Sequence, residues 1–274
     1  MDEPRDRRAR EFRALHQRGA PLLLANVWDA GSARLFEAAG ARAIATTSAG
    51  LAWSRGYADG DRLPARVLAV AVGEIARVLS VPLTVDVEGG YSSDPRAVGE
   101  TLSAVLDAGA IGINIEDGAG SPDLLCAKLA AAREAATRAG VDLFINARTD
   151  VYLRGLVPPE RAMAEVVERG RRYRSAGADG LFVPELVDAS AIRAIVDRVE
   201  LPLNVMVRPT LPPVAELSAL GVSRVSAGSA IAQAAYAVGR RAAHQLLTEG
   251  RYDAMFETTA SYGELNALYS PAVA

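Results

Sequence analysis

The chain has 274 residues, 50% hydrophobic and 23% charged, with 33 acidic against 30 basic side chains. That is length for one large core or two modest ones, and the balance of charge gives no reason to expect a nucleic-acid partner. Two histidines (His16, His244), one cysteine (Cys126) and one lysine (Lys128) stand against 29 arginines, which excludes an intrachain disulfide or a cysteine-built metal site, argues against a histidine-clustered one, and leaves Lys128 alone for any Schiff base.

The start of the chain is densely charged, with no apolar core of signal-peptide length. No apolar run reaches the ~18–20 residues of a spanning helix, so no membrane partner and a reducing cytoplasm are expected. A helix is expected over 4–18, exposed ahead of the main fold. Apolar runs then follow at 21–27, 41–48, 82–88, 111–117, 143–149, 180–186, 201–207 and 223–229. Each is nearly continuous, as in parallel strands buried on both faces. The stretches between them carry helical spacing: 29–39, 65–79, 94–108, 122–139, 159–176, 188–198, 213–219 and 230–249. Asp94-Pro95 and Pro158-Pro159-Glu160 read as helix starts, and glycines in EAAGA, DAGA and SAGA as helix stops. Eight alternating units fit a (β/α)8 TIM barrel. The rival, a doubly wound open sheet, lacks its GxGxxG after the first strand, where WDAGSARLF stands instead. Without a linker, residues 1–274 read as one barrel domain. The tail from 251 onward carries Tyr252, Phe256, Tyr262 and Tyr269 and is expected to pack on the barrel or on a neighbouring subunit.

In such a barrel the site lies at the C-terminal ends of the strands. There Asp86 and Glu88 share a face at spacing two, and Glu116 ends the adjacent strand. Three carboxylates cannot stay ionised together in a low-dielectric mouth without a cation, and an all-oxygen cluster suits Mg2+ or Mn2+. The plainer alternative pairs these acids with Arg148 and Arg208. Arg148 itself suits a substrate carboxylate or phosphonate, because its planar fork binds such groups bidentately, or it balances the neighbouring acids. Ser48, Ala49 and Gly50 join a hydroxyl to small residues that let the backbone approach an anion. The stretch 49–64, with Trp53, Tyr57 and Asp59, is long for a strand-to-helix connection and reads as a lid or as an ornamental loop. Cys126 falls inside a helical pattern as a structural residue, Lys128 on the same helix as a surface one, and both histidines as structural.

The ordered run NVWDAGSARLFEAAGARAIATTSAGLAWSRGYADGD, VDVEGGY, INIEDG and INARTD resembles the isocitrate lyase/phosphoenolpyruvate mutase superfamily over roughly residues 20–250. The resemblance implies a Mg2+-dependent enzyme on a (β/α)8 barrel, assembled as a homotetramer of dimers that exchange their eighth helices. Its chemistry would make or break a C–C or P–C bond beside a 2-oxo or 2-hydroxy carboxylate, through an enolate-like species on the metal. Residue by residue, Asp86 matches the acid that holds Mg2+ most directly, and Glu88 and Glu116 match acids that hold it through water. Ser48, Ala49 and Gly50 match the substrate-carboxylate turn, with Asp86 beside it. Arg148 matches the substrate-binding arginine and Asp59 the acid on the gating loop, and with Glu116 these form the catalytic set. Two departures stand out. The stretch EDGAGSPDLLCAK lacks both the lyases' Lys-x-Cys-Gly-His loop and the mutases' Lys- and Asn-bearing loop, so Cys126 inherits no acid role. Glu88 stands where the better-studied members have Asp.

The expected activity is therefore a Mg2+-dependent cleavage of a C–C bond in a small 2-oxo or 2-hydroxy dicarboxylate, decarboxylation included. A phosphonomutase and a 2-oxo acid binding protein with little catalysis are the alternatives.

Overall fold

In the computed structural model, which describes residues 3–269, the eight apolar runs become one parallel sheet closed on itself. The first stave is broken at Ala25 into β1 (Leu22–Leu24) and β2 (Asn26–Val27), preceded by helix α1 (Glu3–Ala14). Next come α2 (Ala30–Ala38), β3 (Ile44–Thr46), α3 (Ser48–Ser54), α4 (Ala65–Arg77), β4 (Leu83–Asp86), α5 (Pro95–Asp107), β5 (Gly112–Glu116) and α6 (Pro122–Ala139). The second half runs β6 (Phe144–Arg148), α7 (Val151–Arg154), α8 (Pro159–Ser175), β7 (Gly180–Val183), α9 (Ala189–Val199), β8 (Leu203–Met206), α10 (Val214–Ala219), β9 (Arg224–Ser226) and α11 (Ala230–Glu249), then a short 3-10 turn and α12 (Tyr262–Ala267). β2 pairs with β3, and β1 pairs with β9 through Leu22 opposite Arg224, so the two halves of the first stave close a (β/α)8 barrel.

The helices begin where the sequence supplies caps. The carboxylates of Asp29, Asp94 and Asp188 and the Ser121 hydroxyl each accept a backbone N–H of the first turn, an interaction of ~1 kcal/mol apiece. Gly140 ends α6 in the left-handed conformation. Val85, Ile113, Ile115, Ile145, Ala147 and Val205 are fully buried between sheet and helices, which is why those runs read as continuous. Register does the rest. Asp86 lies opposite Asn114, which lies opposite Asn146, while Glu116 lies opposite Arg148. With a side-chain period of two, these positions point together into the barrel.

Three expectations change. The helix expected to be exposed at the N-terminus closes the floor of the barrel: Ala9, Phe12 and His16 are buried, and the Phe12 ring meets Phe144 edge-on at 5.5 Å. Lys128, expected on the surface, is 7% exposed, because its ammonium turns inward to donate to the Gly89 carbonyl at 2.5 Å. The turn after β3 is not a loop but the start of α3, whose first residue is Ser48. At the C-terminus, Arg34 donates to the Leu268 carbonyl at 2.9 Å and the Tyr269 hydroxyl to that of Gly31 at 3.2 Å, so this part of the tail lies on α2 of its own barrel. Residues 270–274 of the expected tail lie outside the described residues. Among the described residues no helix is long and apolar enough to cross a membrane.

Candidate active site in the barrel mouth

The strand ends surround a cavity of about 160 Å3. Ser48 and Ala49, in the first turn of α3, form one wall, and Asp86 and Asn114 form the base. Arg148 and Phe182 stand opposite, with Met206, Arg208, Gly228 and Ser229 completing the rim and Asp59 reaching in from the segment between α3 and α4.

The predicted residues separate into three groups. Ser48, Ala49, Asp59, Asp86 and Arg148 meet at the cavity. Glu116 stands behind Arg148, 2.6 Å from its guanidinium. Gly50 and Glu88 line none of it. Gly50 is buried in α3, where a Cβ would come within 2.8 Å of Thr47 Cγ2 and 3.0 Å of Trp28 Cβ, so its smallness serves packing. Glu88 turns toward the loop: its carboxylate accepts N–H bonds from Gly60 and Asp61 and the Tyr91 hydroxyl proton at 3.0 Å. Among the described residues, no three His, Cys, Asp or Glu side chains group closely enough to hold a metal ion between them.

Arg148 is held from both sides. Asp150, fully buried, takes its Nε–H at 2.7 Å and its Nη2–H at 3.2 Å, while Glu116 takes Nη1. Burial disfavours this guanidinium charge, but Glu116, Asp150 and Asp86 outweigh it and raise the pKa. Asp150 is positioned in turn by Asp117, which accepts the Asp150 N–H at 2.9 Å, an Arg169 N–H at 2.8 Å and the Tyr173 hydroxyl proton at 2.5 Å. The acids feel the opposite pressure. Burial raises Asp86, and nearby Asp59 adds to the shift, against the pull of Arg148 and a hydrogen bond from Ser48. Burial, with the charges of Asp86, Asp150 and Glu88, pushes Glu116 up to about 8 despite Arg148. Glu88 rises to about 7, again chiefly by burial and then by Asp86 and Asp59. The mouth therefore carries more negative charge than its low dielectric favours, which is the electrostatic condition for recruiting a cation.

Beneath the mouth lies a polar layer that sequence reasoning did not single out. Asn146 donates to both Asn114 and Asn204 at 3.0 Å, Asn204 donates to Ser226, and Arg224 donates to Asn114 at 3.1 Å. Arg224 is 1% exposed, and burial lowers its pKa to about 9 against the attraction of Asp86. Asn26 joins the first stave to the rim by donating to the Thr46 carbonyl and accepting the Gly228 N–H at 3.0 Å. The signal was present in INIE and INAR, where an Asn precedes the strand-end charge by two residues and so must share its inward face. Phe182, Leu153 and Met206 carried no such mark.

Residues 12–247 match the phosphoenolpyruvate phosphomutase family. An uncharacterized protein of Mycobacterium tuberculosis is 36% identical over 222 residues, covering 80% of this chain and 81% of its own. The oxaloacetate decarboxylase of Pseudomonas aeruginosa is 31% identical, over 72% of this chain and 68% of its own. Among solved structures, a Burkholderia cenocepacia protein whose naming as a phosphonomutase is provisional superposes with a TM-score of 0.83 at 43% identity, covering 87% of this chain and 99% of its own. The superfamily of these relatives contains C–C lyases and phosphonomutases. With the barrel, the acid-rich mouth and a match that spans most of its length, the chain belongs to the phosphoenolpyruvate phosphomutase family, within the isocitrate lyase/phosphoenolpyruvate mutase superfamily.

Proposed function

We propose that this protein is a Mg2+-dependent lyase that cleaves a C–C bond in a small 2-oxo or 2-hydroxy dicarboxylate, by retro-aldol or retro-Claisen cleavage or by decarboxylation. The observation that carries this reading is Arg148 standing with Asp86 on one polar cavity of about 160 Å3, well below the ~300–1,000 Å3 of sites for drug-sized ligands. A cation-and-carboxylate pair in so small a space suits a short diacid. The oxaloacetate decarboxylase of Pseudomonas aeruginosa and the 2-methylisocitrate lyase of Escherichia coli, 29% identical over 206 residues, support the substrate class. A phosphonopyruvate hydrolase of the same fold has been solved with oxalate and Mg2+.

The donor set fits such an ion. Its atoms are all carboxylate oxygens, their charge is unfavourable without a cation, and Mg2+ keeps several of its waters, needing one or two carboxylates for direct contact. Asp86 would hold it directly, with Glu116 reaching it through water, while both oxygens of Glu88, the third expected acid, are taken by Gly60, Asp61 and Tyr91; Mn2+ suits the same atoms. When bound, the ion supplies Lewis-acid polarisation of the substrate's 2-oxygen. The chain does the remainder. Arg148 orients one substrate carboxylate through the N–H groups that Asp150 and Glu116 leave free. Ser48, Ala49 and the adjoining backbone seat the second, and Asp59 carries the proton between substrate and solvent above the cavity.

Purified protein with Mg2+, offered oxaloacetate, 2-methylisocitrate and alkylmalates, should release pyruvate or a related 2-oxo acid. Absence of turnover on every member, with Mg2+ shown bound, overturns the reading. The 43% identical Burkholderia neighbour favours one second reading, P–C bond rearrangement; phosphonopyruvate conversion followed by phosphorus NMR decides between them. Cys126→Ser leaves activity intact in either case, since that thiol is pushed up by burial and sits on α6 away from the cavity.

We also propose a cytoplasmic homotetramer in which neighbours exchange α11. Of its twenty residues only Ala232 is buried, and its Tyr236, Val238, Leu246 and Leu247 stand exposed, an apolar face that suits a second copy. Sedimentation velocity should find four chains; a monomer at micromolar concentration refutes the exchange.

A further inference from the structure

We propose that Glu88 is the clasp that holds the segment between α3 and α4, and Asp59 with it, over the cavity, and that it is a positioning residue and not an acid of the metal region. The importance of Asp59 rests on the function proposed above; the clasp itself does not.

Glu88 lies two residues beyond Asp86, so strand alternation would aim both carboxylates into the mouth. The backbone prevents this. Glu88 takes φ +51°, in the left-handed region that favours glycine, one residue after the last buried apolar position of that stave. Its side chain then leaves the barrel axis, and the residue is 4% exposed. Both of its oxygens are committed. Oε2 accepts the N–H of Gly60 at 2.8 Å and that of Asp61, and Oε1 accepts the Tyr91 hydroxyl proton at 3.0 Å.

The connection is answered from the loop. Asp61 Oδ1 accepts the N–H groups of Gly89 and Tyr91, both at 3.2 Å, while Lys128 fixes the Gly89 carbonyl from α6. A Cβ at Gly89 would come 2.8 Å from Asp61 Oδ2 and push that carboxylate aside. Asp61 and Tyr91 also take positive φ, +57° and +60°. Three non-glycine residues in that region within one mutual contact indicate a conformation the surroundings impose, as functional sites do. Asp59 is the immediate neighbour of Gly60, so holding that amide fixes where Asp59 stands. The chemistry also accounts for Glu at 88: one methylene more than Asp lets the carboxylate reach sideways to the loop.

Amide hydrogen exchange and metal titration test this without any substrate. In the unaltered protein the Gly60 and Asp61 amides should be protected. Glu88→Ala and Glu88→Asp should each speed their exchange about tenfold or more, the worth of a charge-assisted hydrogen bond, while β4 and β5 amides stay unchanged. Glu88→Gln, which keeps a carbonyl acceptor, should restore most of that protection and leave the dissociation constant of Mn2+ within about threefold of the parent. Unchanged exchange in Glu88→Ala overturns the proposal. So does a tenfold or greater loss of Mn2+ affinity in Glu88→Gln with the loop still protected, the mark of a metal-region acid. If Glu88→Ala does not fold, Asp61→Ala and Tyr91→Phe open the same contact from the other side and must speed exchange at residues 89–91 and 60–61 respectively. A parent protein that binds no Mn2+ would count against the lyase reading and leave the exchange result to decide the clasp.

Discussion

The two ends of the barrel handle buried polar groups in opposite ways. At the floor, α1 and the turn that follows it lay Phe12 and His16 against Phe144: His16 stacks on the Phe144 ring at 4.0 Å and meets Phe12 edge-on at 4.7 Å. The imidazole is buried and kept neutral, pushed down to about 3 by burial and by the nearby Arg224 charge. Apart from Arg224, which belongs to the polar layer above, the charged groups at this end stay at the rim, where Arg13 bridges Asp142 at 2.7 Å and Asp179 at 2.8 Å. At the mouth, Asp86, Glu116, Arg148 and Asp150 are drawn inward with their charges and balanced only in part. A floor that keeps its buried histidine neutral stabilises the fold. A mouth that keeps charge under strain gives up stability, the trade expected of a binding site.

The largest test of that contrast is Arg148→Ala. It leaves Glu116, 14% exposed at its side chain, without its cation and Asp150, 0% exposed, with only the half-exposed Arg154 at 2.9 Å, and breaking a buried pair from one side costs about 3–5 kcal/mol. Urea unfolding should show that loss. A cost below about 1 kcal/mol, the range of exposed pairs, would mean that the mouth is wet enough to screen its charges, and the contrast between the two ends would fail.

The mouth was more legible in the sequence than the floor, and the reason is the period of a strand. A Val- or Ile-rich run ending in a charged residue announces a strand end, and spacing two puts Asp86, Asn114 with Glu116, and Asn146 with Arg148 on the inner face before any coordinates exist. Spacing misled at Glu88, because a positive φ one step beyond the strand discards the alternation and no local residue pattern forecasts it. The inward turn of Lys128 was hidden likewise, since its partner is a backbone carbonyl 39 residues away. The floor left no local trace. Phe12 and His16 look like any amphipathic helix residues until Phe144 arrives from far along the chain. The expected helices from α2 to α11 lie within a residue or two of their sequence bounds, marked by Pro, Gly and Asp at their ends, whereas α1, expected to reach residue 18, stops at Ala14, and α3, α7 and α12, of seven, four and six residues, are too short to show a period.

A smaller effect probes the floor. The His16 pKa is depressed in the folded state, from 6.5 to about 3. Between those values the unfolded chain binds a proton that the folded chain refuses, so its stability, intact above pH 6.5, is lost as pH falls toward the folded value. By pH 5 the loss amounts to about 2 kcal/mol. His16→Phe keeps an aromatic ring on Phe144 and removes the proton site. At pH 7 it forfeits the hydrogen bond from His16 Nδ1 to the Phe12 carbonyl, about 1 kcal/mol. Urea midpoints measured from pH 7 to 5 should therefore fall less in the variant than in the parent. Parallel curves would show that His16 accepts its proton where it stands, and the floor would lose its claim to neutrality.

The smallest change in stability belongs to Asp86→Asn, and there its sign is the point. Burial works against the Asp86 charge, and Asp59 adds repulsion, so the carboxylate costs folding energy at neutral pH. Asn fills the same space and can accept the Glu88 N–H that now reaches Asp86 Oδ1 at 3.2 Å. The variant gives up attraction to Arg148 and Arg224, but Arg148 keeps Glu116 and Asp150, and Arg224, whose charge burial already disfavours, keeps its hydrogen bond to Asn114. The balance should be a gain of about 1 kcal/mol in unfolding free energy, the scale typical when a functional residue is traded for a stable one. In the same protein, Mg2+-dependent ligand binding, followed by calorimetry with oxalate as the probe, should disappear. Lower stability with Mg2+ affinity retained would reverse the assignment, making Asp86 a structural counter-ion for the two buried arginines and shifting the search for the metal's direct ligand to Asp59 and Glu116.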